Sequence, residues 1–95
     1  MEDTSVLPNA SPERVLIYNT GIRTLVVKYG PNGRITLESG KSTQIFEKTT
    51  YSIVLYDNER VVIGVISYAG RDYTTIKGGE HSQGAKFTCA VEMEY

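Results

Sequence analysis

The 95-residue sequence predicts an all-β fold, a single small antiparallel β-sandwich or jelly-roll-like barrel of seven or eight strands. Two observations carry that expectation. Val, Ile and Thr together number 27 against 9 for Leu and Ala, and Tyr and Phe add another 9. Such β-branched and aromatic side chains suit a pleated surface and lose rotamer freedom in a helix. Short apolar runs also alternate with turn signals at about 8–12 residues, the rhythm of a sandwich or small barrel rather than of βαβ units. One domain is expected at this length.

Residues 1–13 hold Pro8 and Pro12 with Asn9 and Ser11 between them and show neither period, so they read as a flexible arm before a domain over 14–95. The first strand runs from Arg14 to Asn19 and closes at Thr20-Gly21. Arg23 to Tyr29 follows, with Leu25, Val27 and Tyr29 sharing one face. Gly30-Pro31-Asn32-Gly33 is the strongest turn in the chain: Asn-Gly offers the two positive φ angles of a tight hairpin, which makes Arg34 to Glu38 the antiparallel neighbour. Ser42 to Glu47 and Thr50 to Tyr56 come next, and Asp57-Asn58 marks another hairpin. Arg60 to Tyr68 is apolar on both faces, the pattern of a central strand. Asp72 to Ile76 reads as a short strand and Lys77 to Gly84 as a glycine-rich loop. The last strand has the cleanest alternation, Phe87, Cys89, Val91, Met93 and Tyr95 on one side, and its terminal position reads as an unprotected edge.

Charge and motif content narrow the chemistry. Ten Lys+Arg against 11 Asp+Glu give a net charge of −1, which speaks against nucleic-acid binding. The longest apolar stretch, Val61 to Ile66, is far below the ~20 residues of a membrane span. The N-terminus carries neither a basic n-region nor an apolar h-region, so a cytoplasmic or virion-associated location is expected. Cys89 and His81 are the only residues of their kinds, which leaves too few ligands for structural zinc, and neither metal nor cofactor is expected. His81 with Ser82 beside it makes a poor nucleophile–base pair, because sequence neighbours in an extended loop diverge; an exposed loop histidine is the simpler reading. Gly40-Lys41-Ser42-Thr43 has the tail of a phosphate-binding loop, but Ile35 stands where the first glycine belongs and a strand follows instead of a helix. An enzyme is therefore not expected.

The run Asn19-Thr20-Gly21, Leu25-Val26-Val27 and Arg34 to Ser42 resembles immunoglobulin-like and jelly-roll modules, in which a hairpin is followed by a small-Gly-polar turn. Modules of that kind occur in virion decoration, tail and adhesion proteins, and the resemblance, which covers about a quarter of the chain, implies a structural role. The seven tyrosines point the same way, since tyrosine joins apolar area to a polar tip at low entropic cost; their alternative use is to cover the ends of the core. The expected function is a non-enzymatic structural or protein-interaction module that binds a protein partner or its own copies as a homo-oligomer. The candidate contact residues are Tyr68, Arg71, Tyr73, Lys77 and His81. The alternative is capture of a nucleotide or sugar by loops 69–73 and 77–84, with backbone N–H groups, Arg71 and Lys77 facing an anion.

Overall fold

In the computed structural model of the chain, the described residues are 13–70, 73 and 78–93. Within them there is no helix, and eight strands follow in order: β1 Glu13–Asn19, β2 Leu25–Tyr29, β3 Gly33–Leu37, β4 Ser42–Ile45, β5 Tyr51–Leu55, β6 Asn58–Ile66, β7 Gly78–Glu80 and β8 Lys86–Met93. They form two antiparallel four-stranded sheets, β4-β1-β8-β7 and β3-β2-β5-β6. The barrel alternative is thereby corrected. No ladder joins the sheets, although β6 and β7 approach so closely that a Cβ on Gly79 would lie 2.5 Å from the Ile63 carbonyl oxygen. The arm expected over residues 1–13 lies outside the described residues except for Glu13, which already belongs to β1, and so does the strand expected over Asp72 to Ile76, apart from Tyr73.

Alternation builds the core. Val15 and Ile17 of β1, Ile45 of β4, and Phe87 and Cys89 of β8 face Leu25 and Val27 of β2, Leu37 of β3, Tyr51, Ile53 and Leu55 of β5, and Ile63 and Ile66 of β6. Burial pushes the Cys89 thiol up and favours its neutral form.

The outward face of the second sheet is closed over its two middle strands, although Val62 of β6, opposite Val54, is 53% exposed. Val26 and Val54, directly paired, are buried outside the main core. On that face Glu59 accepts from Lys28 Nζ at 3.1 Å through one oxygen and from the Arg34 guanidinium through the other. Since Glu59 sits on β6 and Arg34 on β3, at opposite edges, this bridge must cross β5 and β2, where Val54 and Val26 lie. The Arg34 and Lys28 hydrogen bonds hold the Glu59 carboxyl at about 2, below its ordinary 4.5.

Four expectations are revised. The Gly30–Gly33 hairpin forms, with Tyr29 opposite Gly33, but the positive φ belongs to Gly30 (58°). Gly33 serves a different need: a Cβ there would lie 2.5 Å from the Tyr29 ring. β6 is an edge strand with Val62 exposed, its register with β5 broken by irregularities at Ile53/Val54 and Val54/Leu55. β7 occupies what reads as loop, because its glycines admit the Phe87 backbone and ring: a Cβ on Gly79 would stand 2.7 Å from Phe87 Cε1. β8 is flanked by β1 along all seven pairs and by β7 over Gly78–Glu80, so it is an interior strand there rather than an open edge.

One polar group lies inside this frame. Asn19, 1% exposed at the end of β1, donates from Nδ2 to the Arg23 and Leu37 carbonyls, both at 2.8 Å, while Oδ1 accepts from Gly21 N–H. Its backbone pairs with Lys41 O and Gly40 N–H. The end of β3 and the β1–β2 loop thus meet on one side chain, and the β3–β4 turn on the same residue's backbone.

Asn19→Ala takes the buried amide donor from two carbonyls, while Gly21 N–H keeps Lys86 O, so it is expected to cost about 2–4 kcal/mol in urea unfolding. Because the folded Glu59 pKa is depressed, its contribution is present above about 4.5 and lost as pH falls through about 2. Glu59→Gln is expected to remove that part of the acid dependence of Tm, and added salt to weaken it in the native chain.

Candidate functional site

The most constrained surface is the end of the sandwich where β1 passes to β2. Every residue of that passage is pinned: Thr20 and Gly21 N–H donate to Lys86 O, Ile22 N–H donates to Gly84 O at 3.0 Å, and Arg23 O and Thr24 O accept from Asn19 Nδ2 and Tyr56 N–H. Ser39 Oγ donates to Gly21 O at 2.6 Å. The Arg23 guanidinium grips both Asp57 oxygens at 2.9 and 2.8 Å and also donates to Gln83 Oε1. This fork joins the β1–β2 passage, the β5–β6 turn and the β7–β8 loop.

On this scaffold stands Ile22, 79% exposed, with Tyr56, 54% exposed, across a shallow cleft of about 230 Å³ lined also by Arg23, Thr24 and Asp57. Gly84 supports it from below: φ is +91° there, and a Cβ would lie 2.7 Å from Ile22 Cγ1. Such an array offers no nucleophile and base in contact. Instead it presents an apolar knob, an aromatic wall and a neutralised ion pair as floor.

The sequence-predicted contact residues are distributed differently. Tyr68 and Tyr73 meet across an isolated antiparallel bridge with rings 4.8 Å apart. Tyr73 lies 6.3 Å from Tyr51, and Tyr51 lies 5.3 Å from Tyr29. The Tyr51 and Tyr73 hydroxyls both donate to the Glu47 carbonyl. Burial pushes the Tyr51 phenol well above its usual range. Four tyrosines therefore close the end of the sandwich opposite Ile22, where β2 finishes and β5 starts. His81 sits at the Ile22 end, in a turn where its N–H donates to Ala85 O and its Nδ1 accepts from Gln83 N–H. The fold thus unites Tyr68 with Tyr73 and separates both from His81. Arg71 and Lys77 lie outside the described residues.

Sequence reasoning missed Ile22 and Arg23, and it read Asp57 only as a turn former. A signal was present: Ile22 is a large aliphatic residue directly after Thr20-Gly21, outside any alternating run. Among the described residues no group of three or more His, Cys, Asp or Glu could hold a metal ion. No family model, curated protein or solved structure matches the chain.

Gly84→Ala is expected to cost about 1–2 kcal/mol, through strain at positive φ and displacement of Ile22. Chemical denaturation reads the cost, and the Ile22 methyl shifts in a 13C–1H spectrum report the displacement.

Proposed function

We propose that this chain is a non-enzymatic protein-interaction module that engages a protein partner through the end bearing Ile22 and Tyr56. The observation that supports this reading is a 79% exposed isoleucine on a passage whose five residues are each hydrogen-bonded in place. Exposed aliphatic side chains are ordinary when scattered on mobile loops. Here the backbone that carries one is already ordered, so binding forfeits little conformational entropy. Binding residues commonly sit on loops fixed by a rigid scaffold, and an apolar anchor beside a tyrosine is the usual composition of an energetic centre. The Arg23–Asp57 pair supplies polar selectivity beside it.

The dimensions favour a protein over a small molecule. An open cleft of about 230 Å³ falls short of the roughly 300 Å³ at which small-molecule sites begin, whereas it suffices for one partner side chain beside Tyr56.

Immobilised wild type, Ile22→Asp/Tyr56→Ser and Thr36→Asp chains are to be exposed to an extract of the cells that make the protein, with retained proteins identified by mass spectrometry. A defined protein held by wild type and Thr36→Asp and lost by the double variant is the expected result. Both variants should keep the wild-type Tm within a few degrees, and identical retention profiles would sink the assignment.

A further inference from the structure

The two outward sheet faces are finished differently. On the β3-β2-β5-β6 sheet the Lys28–Glu59–Arg34 bridge spans the two middle strands, where Val26 and Val54 are buried. Among the described residues no such bridge spans the middle of the β4-β1-β8-β7 sheet: Leu16 and Ala90 form a direct pair there, with Gln44 beside Leu16. Two residues along β1 in one direction stands Tyr18, 42% exposed and opposite Thr88. Two residues in the other direction stands Arg14, opposite Glu92. Arg14 donates to Gln44 Oε1 at 3.0 Å and to Glu92 Oε1 at 3.3 Å, which lays its guanidinium across three strands. Beside it a dent of about 360 Å³ opens, lined by Arg14, Leu16, Ser42, Thr43 and Gln44.

We propose that this face is a two-fold interface between copies of the chain, each Tyr18 entering the dent beside the partner's Arg14. The placement is self-complementary. A two-fold axis in the plane of the face, running across the strands over Gln44, Leu16 and Ala90, sets each of these residues against its own copy. It carries positions two residues on one side onto positions two residues on the other, so Tyr18 meets Arg14 and Arg14 meets Tyr18. That reciprocity is what a closed dimer requires. A ring stacked on a guanidinium already held flat gains cation–π attraction without further ordering of the arginine. Along β8 the same axis sets the end carrying Glu92 against the end carrying Lys86, so no like charges are opposed. Paired sheets whose strands remain roughly aligned, about 10 Å apart, are an ordinary packing mode. The occupant is a second copy because one surface contains both the knob and its socket. This surface lies apart from the Ile22 end, so the two readings stand or fall independently.

Sedimentation velocity across a concentration series tests it. Wild type is expected to show a monomer–dimer equilibrium, and Tyr18→Asp to raise the dissociation constant by about tenfold or more. Thr36→Asp, on the other sheet, should leave it unchanged. Tm measured alongside shows that each variant is folded. Independently of any loss of association, Ala90→Cys lies on the axis and should be joined to its copy by a short bismaleimide, whose span suits sheets this far apart where a direct disulfide would not reach, whereas Thr36→Cys should not. Native Cys89 is buried toward the core and gives no background. A wild type that stays monomeric at every concentration overturns the proposal. So does a dimer indifferent to Tyr18→Asp, or one in which Ala90→Cys crosslinks no faster than Thr36→Cys.

Discussion

The end of the sandwich is organised around one buried amide. Asn19 finishes an inward-facing row begun by Val15 and Ile17, where the next residue on the same face has to be apolar or completely satisfied. It is satisfied by Gly21 N–H, Arg23 O and Leu37 O, and so converts the desolvation of an amide into a fixed geometry between the β1–β2 passage and the end of β3. Alanine would keep the backbone pairs with Lys41 and Gly40 but lose the side-chain ties that hold Gly21 and Arg23 of the β1–β2 passage to the end of β3. The rigidity under Ile22 and the reach of Arg23 to Asp57 both depend on this point.

Ionic contacts contribute differently on the two sides of the molecule. The Glu59 bridge is exposed and screened by salt, so its importance lies less in Coulomb energy than in what its long side chains cover. Val26 and Val54 would otherwise form an apolar strip on a flat sheet, a feature that invites association. Arg14 does something else with similar materials: it ties β1 to both of its flanking strands through Gln44 and Glu92.

The strand content was legible because β-branched composition and turn spacing are local signals, and the inward rows Leu25–Val27–Tyr29 and Phe87–Cys89 were read correctly from period-two alternation. What escaped was set by partners distant in sequence. Gly78 and Gly79 look like loop residues until Phe87 is seen beside them. Val62 looks buried because sequence patterning cannot distinguish an edge strand from a central one when both faces are apolar. The tyrosines were conspicuous by number, yet four of them file together at one end, while the exposed anchor Ile22 belongs to no periodic pattern at all.

Strand order also sets the sequence in which the fold can be completed. β2, β3, β5 and β6 are joined by two hairpins and complete a sheet from residues 25–66 alone. β1 is made first, yet its longest ladder, seven pairs, is with β8 at the other end of the domain. Closing so long a loop is entropically slow, and non-local β pairing of this kind delays folding. During synthesis β1 therefore waits, able to meet β4 but missing its longer neighbour, until nearly the whole domain has left the ribosome. Of the eight described strands, the first synthesised is among the last to be fully enclosed, so its apolar row, Val15 and Ile17, stays open for most of that time.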